Sequence, residues 1–550
     1  MASVNKSKDL ASDAIVSSHG VNPCNLLIHN ARLFSSHDHF EQGSADCIAV
    51  DRGVIKEIGN FQDMQSYAGS NTKIIDANGR TLMPGFNDTH IHIWKVGNLK
   101  TLMLDVRAAK SLDEMLEMIQ AYDRQYPEVS WITARGFNEA AWKDGRLPTR
   151  EDLDRVVTHK PVYVIRTCAH IAVINTKALE ICNISADVHI PDGGEMGRAS
   201  NGQPNGIFSE TALGLVSKHI PAYSKSQLKQ MVRAGQAEML SFGITAATDP
   251  AVDPLLLESY YEMYAAGELQ IRLNAIPILL PDGGGEPFEM PKKFASLGFN
   301  VNTVKFFSDG GLSGKTSALK RTYKNSTEKG ILRLNPEQYL RLCMQAMKEG
   351  LGVATHAIGD AAIEFVIAIY KKLNASFPDN IKRIEHLGLP EERHLEDMAK
   401  GGMMASMQSI FISELGKNFI RYLDESYLNH CYPVKSVLDH GIKVALSSDS
   451  PVVKNYNPFK GIEAAVTRTD NEGHRIAPDQ AINVEDGLKA YTNSAAQISA
   501  TPQFGTLEVG KAADFILLGD NPLTMAAEKL SAIQVDMTFV GGEILYENRL

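Results

Sequence analysis

Between residues 82 and 447 short apolar runs alternate with longer stretches of helical periodicity. The runs are 82–88, 161–166 (PVYVIR), 243–247 (GITAA), 302–307 (NTVKFF), 351–355 (LGVAT), 381–384 (IKRI), 402–407 (GMMASM) and 442–447 (IKVALS). Stretches such as SKSQLKQMVRAGQAEMLSF lie between them. Strands that alternate with helices imply parallel pairing through crossover helices. Eight runs of this kind predict an α/β chain built on a (β/α)8 TIM barrel. The active site of such a barrel gathers where the strands end, at the C-terminal face.

Both ends of the chain have a different texture. NLLIHNARLF and DCIAVDRGVIKEIG read as short strands, with a hairpin turn at Asp51-Arg52-Gly53. TKIIDANGRTLMPG adds a strand pair with its bend at Asn78-Gly79. ADFILLGDNP and QVDMTFVGGEILYE repeat the pattern at the far end. The economical division is a small composite β-sandwich domain from residues 24–82 and 505–550, with the barrel, 83–504, between its halves. Long connections predict inserted segments near 95–160 and 171–240. Residues 1–23 are polar and Ser-rich and read as a flexible tail; Asp9 and Asp13 count against a transit peptide.

Composition narrows the partners. A net charge of -10, with no run of lysines and arginines, argues against nucleic acid or an anionic membrane. No window approaches the roughly 20 apolar residues of a membrane span. Six scattered cysteines without a CxxC pair suit a reducing compartment, so a cytoplasmic location is expected. The expected partner is a small-molecule substrate, and a homodimer is left open.

Chemistry-bearing residues fall at the ends of the proposed strands. In LMPGFNDTHIHIWK the first strand leads into Asp88, His90 and His92 at every second position, which places them on one side. Two imidazoles so placed can hold one divalent ion, as zinc prefers. His37 and His39 share the spacing in SSHDHF, but no apolar strand leads into them, and they read as a solvated turn. The run 161–166 leads to His170, VKFFSDGG carries Lys305, and GVATHAIGDAA, RIEHLGL and VALSSDSPV carry His356, His386 and Asp449. Taken singly, the histidines could be hydrogen-bonded core residues and Asp449 a helix cap. Their shared position at one predicted face makes chance a poor account. Lys305 inside an apolar strand must lose its charge or find a partner, either in an ion pair with Asp309 or by taking up carbon dioxide as a carbamate. Pro148-Thr149 followed by Asp152 reads as a capped helix start.

These motifs carry a resemblance. PGFNDTHIH, RGFNEAAW, LPTREDLD, VKFFSDGG, THAIGDAA, RIEHLGL, SSDSPV and GTLEVGKAADFILL occur in the order seen in the amidohydrolase superfamily, in the branch called amidohydrolase family 3 or YtcJ-like. The resemblance runs from about residue 24 to the C-terminus. It implies two metal ions, zinc by expectation. His90, His92 and Asp449 would bind one, His356 and His386 the other, and a carboxylated Lys305 would bridge them. It also implies His170 in the pocket, with Trp142 either lining a substrate wall or packing inside the fold. Asp88 is expected behind the ligands, orienting an imidazole.

The activity so implied is hydrolysis of a non-peptide C–N bond, as in an N-substituted formamide or N-acyl compound. Asp449 would act as general base and then acid, with His170 aiding the oxyanion. Deamination or decarboxylation at the same site, and a non-catalytic regulator on the same fold, remain the alternatives.

Overall fold

The computed structural model describes residues 22–34, 45–139, 142–143, 145–167, 171–191, 194–281 and 285–548. Eight parallel strands frame the centre: β1 Phe86–Asp88, β2 Ile244–Val252, β3 Arg272–Pro277, β4 Thr303–Phe307, β5 Gly352–Ala357, β6 Lys382–His386, β7 Met404–Met407 and β8 Val444–Leu446. They form two arcs, β1-β2-β3 and β4-β5-β6-β7-β8. The arcs meet on both sides. Phe299–Val301 pairs in parallel with β3, and after Asn302 the chain continues as β4 beside β5. A parallel bridge joins Ile278 to Lys305. At the other seam Asp449 N–H donates to the His90 carbonyl at 2.7 Å. The strands are buried nearly throughout, as parallel strands covered on both faces must be.

One of the eight sequence runs needs correcting, and one strand is absent from them. Val162–Arg166 is not one of these strands. It lies in a separate six-stranded sheet, between Ile132–Phe137 and Ile171–Ile174, that also holds Leu104–Asp105, Pro204–Glu210 and Gly194–Arg198. Val164 packs into one small apolar core and Tyr163 into another, so the strand is covered on both faces. Periodicity alone cannot separate such a strand from a barrel strand. The missing strand is β3, RLNAIP, whose buried Asn274 breaks the apolar run.

Strands from both segments expected near 95–160 and 171–240 thus pair in this one six-stranded sheet, which runs from Leu104 to Glu210. The helix Lys225–Ser241, within the expected 171–240 insertion, packs instead on the helix Ile93–Thr101 that follows β1. Two glycines permit that approach. A Cβ on Gly97 would stand 1.6 Å from the Met231 carbonyl oxygen, and one on Gly235 would stand 2.4 Å from that of Ile93.

The chain ends supply two further sheets. One contains Val54–Gly59, Cys47–Asp51, Leu26–His29 and Lys73–Asp76. The other contains Arg32–Leu33, Thr81–Pro84, Phe515–Leu518, Val535–Val540 and Glu543–Glu547. Thr81–Pro84 pairs antiparallel with Phe515–Leu518, so the two ends of the chain share a sheet. Leu26, Ile48, Val50, Leu82, Phe515 and Phe539 fill the space between the sheets. Arg52 and Gly53 take positive φ in the hairpin turn, as its tight geometry requires. Asn78 and Gly79 also turn with positive φ, but the strands they join belong to different sheets and do not pair. Arg272 at the foot of β3 grips Asp514 through two hydrogen bonds of 2.8 and 2.9 Å, tying the parallel strands to the sheets built from the chain ends.

Candidate metal centre

The ends of β1 and β8 bring His90, His92 and Asp449 together. One ligand atom from each lies within 4.8 Å of the others, and all three residues are buried. Asp449 Oδ1 stands 3.5 Å from His90 Nε2 and 3.3 Å from His92 Nε2. That oxygen is shut off from solvent and accepts no hydrogen bond among the described residues. A buried carboxylate oxygen facing two imidazole nitrogens fits a divalent cation better than it fits an empty core. The backbone is strained here. Asp449 has φ +54° and His386 φ +76°, conformations that side-chain-bearing residues adopt at a cost of about 1–3 kcal/mol and that concentrate at functional sites.

His90 is held from behind. Its Nδ1 is hydrogen-bonded to Glu385 on β6. Glu385 in turn accepts from Arg383 Nε at 2.6 Å and Nη2 at 3.0 Å, and the same Nη2 donates to the Thr89 carbonyl at 2.7 Å. Burial pushes the Glu385 carboxyl up, but Arg383 and His90 overrule it and hold it well below the usual range. Burial, reinforced by Lys305, keeps His90 below its ordinary value despite Glu385. The pair is thus an anionic carboxylate and a neutral ring. Nδ1–H donates to Glu385, and the Nε2 lone pair is left toward Asp449.

Asp249 of β2 stands near His92, its Oδ1 3.7 Å from the ring's Nδ1. Burial and Lys95 lower the His92 pKa to about 4, so this ring is also neutral. His386 directs Nδ1 to Gln408 Oε1 at 2.7 Å. Its ring centroid lies 4.8 Å from that of His90 and 4.4 Å from that of His356. His356 turns Nε2 toward the Gly310 carbonyl at 3.2 Å, which leaves Nδ1 as its remaining ligand atom. Burial depresses His356 and His386 well below the ordinary histidine value, His356 and His90 add to it at His386, and Lys305 adds to it at both. Lys305 is fully buried on β4, with Nζ 4.9 Å from the centre of the Phe307 ring.

Three expected roles stand differently. Asp88 is buried at the end of β1, but its Oδ1 accepts from the backbone N–H groups of His90 (3.1 Å) and Ser448 (3.2 Å), not from a ring. It sews the β8 loop to β1, and burial raises its carboxyl to about 7. Asp309 likewise accepts from the N–H groups of Ala318, Ile358 and Gly359, pinning the loops after β4 and β5. Trp142 packs in the core of the insertion beside Phe137, and its indole N–H donates to the Ala109 carbonyl at 3.0 Å. That is a packing position, not a substrate wall. His170, and the solvated turn at His37 and His39, lie outside the described residues. Thr149 and Asp152 form the expected capping box ahead of Arg150–Asp154.

Sequence reasoning passed over Glu385, Arg383, Asp249 and Gln408. Arg383 and Glu385 did carry a signal. They alternate on one face of a strand too apolar to leave two charges unpaired, beside His386.

Comparison with known proteins agrees with this geometry. A family model described as the amidohydrolase family matches residues 73–546. The chain belongs to the amidohydrolase family. Among its relatives, the Bacillus subtilis protein YtcJ, which carries an amidohydrolase name, is 27% identical over 92% of this chain and 97% of its own length. The N-substituted formamide deformylase of Arthrobacter pascens is also 27% identical, over 92% of this amidohydrolase-family chain and 95% of the relative. An uncharacterized metal-dependent hydrolase from Pyrococcus horikoshii superposes with a TM-score of 0.76 at 24% identity. That match covers 91% of this chain and 99% of the other, a likeness of fold.

Proposed function

We propose that the eight parallel strands form one (β/α)8 barrel whose mouth hydrolyses a C–N bond of amide type in a small, non-peptide molecule. N-substituted formamides and other N-acyl compounds are the favoured class. The observation that carries this reading is the buried Asp449 oxygen facing His90 and His92 without a hydrogen-bond donor. Family membership and the deformylase relative support it.

His90, His92 and Asp449 would hold one divalent ion, and His356 with His386 a second. Lys305, carboxylated on Nζ, is the proposed bridge, and zinc is the favoured metal. When bound, such ions supply Lewis acidity that brings the pKa of water down to about 7 and polarises a carbonyl. The residues of this chain do the rest. Glu385 and Arg383 keep His90 neutral and aimed with Nε2 forward. Asp449, whose Oδ1 faces both rings and accepts no hydrogen bond among the described residues, would take a proton from the attacking water. It then delivers that proton to the departing nitrogen.

A library of N-formyl and N-acyl amines, cyclic ureas, amino-substituted heterocycles and carboxylic acids, assayed with zinc-loaded protein, tests the reaction class. A carboxylate released together with an amine is expected. Ammonia from an amino-substituted ring, or carbon dioxide from a carboxylic acid, would assign the site to deamination or decarboxylation instead.

A further inference from the structure

Beside the turn that carries Asp449 lies a cavity of about 100 Å³. Three cationic side chains, Arg107, Arg135 and Lys454, line it against one carboxylate, Glu414, with Val452 completing the wall on the Asp449 side. The turn is anchored to the metal centre: Val452 N–H donates to the Asp449 carbonyl at 3.0 Å, and His92 N–H donates to that of Ser450 at 2.9 Å. The cavity is therefore walled by the same turn, at Pro451 and Val452, that is tied to the metal centre.

Arg107 is the built part of this wall. Asp105 accepts from its Nε at 2.8 Å and its Nη2 at 2.5 Å, which orients the guanidinium. Nη1 is closed off from solvent and has no acceptor among the described residues. Gly136 fixes the stem. It has φ +108°, and a Cβ there would lie 2.1 Å from Arg107 Cγ, so the insertion's backbone presses directly on the side chain. A guanidinium held on a cavity wall favours an anionic occupant. The planar guanidinium matches a carboxylate better than a single neutral oxygen.

Building on the hydrolase reading above, we propose that this cavity is the subsite for a carboxylate carried by the substrate. Arg107 is its principal donor, and Arg135 and Lys454 supply further positive charge. The substrate class is then an amide whose amine or acyl half bears an acid group, such as an N-acylated amino acid, rather than a neutral formamide.

Binding measured apart from turnover tests this. Matched pairs of N-formyl and N-acetyl amino acids and their carboxamides, with small, aromatic and acidic side chains, are titrated calorimetrically into the zinc-loaded full chain. At least one acid should bind about tenfold or more tightly than its carboxamide. Arg107→Met should weaken binding of the acid by about tenfold or more and so erase that preference. Lys454→Met, which leaves the Asp105 pair intact, should reduce it. Equal binding of acids and carboxamides, no binding of any acid, or a preference that survives both substitutions would overturn the subsite. Hydrolysis is scored separately. An acid that binds and is never cleaved counts against the hydrolase reading, whereas neutral amides cleaved without preference for the acids count against the carboxylate subsite alone.

Discussion

Glu385 grips the Nδ1 edge of His90 while the opposite nitrogen of the same ring, Nε2, lies 3.5 Å from Asp449. One imidazole thus joins a buried ion pair on β6 to the carboxylate that follows β8. Arg383 keeps Glu385 ionised, Glu385 fixes the tautomer of His90, and the tautomer decides which nitrogen is offered to a metal.

Glu385→Gln should weaken zinc binding by about 10–100-fold, because the ring loses its anionic acceptor and Arg383 loses its countercharge. Competition with a chromophoric chelator reads this directly. An unchanged zinc affinity would show that Glu385 only packs there.

Lys305→Ala should lower turnover by at least about 100-fold if a carbamate on Nζ bridges two ions, and added formate or propionate should restore part of it. Full activity in the alanine variant would remove Lys305 from the site.

Much of this centre was legible beforehand. His90, His92 and Asp449 could be read because a strand period of two and a strand-end position are local signals. Glu385 and Gln408 bond to His90 and His386 from neighbouring strands or their ends, and Asp249 stands near His92; partner choice across a sheet depends on which strands become neighbours. The Asp88 carboxylate illustrates the limit: it shares a face with two rings yet is taken by backbone N–H groups of its own turn and of the β8 loop. The same limit applied to the fold. Alternation revealed the strand-helix order, but it could not tell that Val162–Arg166 joins the insertion's sheet while Arg272–Pro277, interrupted by Asn274, lies among the eight.

Gly97→Ala tests the helix contact behind β1. Its methyl would meet the Met231 carbonyl oxygen at 1.6 Å, so the two helices must separate. A loss of about 1–3 kcal/mol or more is expected, seen as a lower Tm. Gly214→Ala, where an added Cβ meets nothing within 4 Å, is the control and should change little.

Glu391 offers a test by pH. Burial pushes its carboxyl up, but hydrogen bonds from Arg393 and Lys320 overrule it and bring the pKa from 4.5 to about 2. A carboxylate whose folded pKa is depressed adds stability above its unfolded value and loses it as pH falls toward the folded one. The Tm difference between wild type and Glu391→Gln should therefore be largest above pH 4.5 and shrink toward pH 2. The group is partly exposed, so solvent screening keeps the effect small. A difference that grows on acidification would contradict the assignment.

Calorimetric titration of zinc into chelator-stripped protein, wild type beside His92→Ala and Asp449→Ala, bears most directly on the metal centre. The expected result is at least one zinc per chain for the wild type, with that site lost in both variants. Less than one zinc per chain in the wild type, or full binding in both variants, would contradict a centre built from His90, His92 and Asp449.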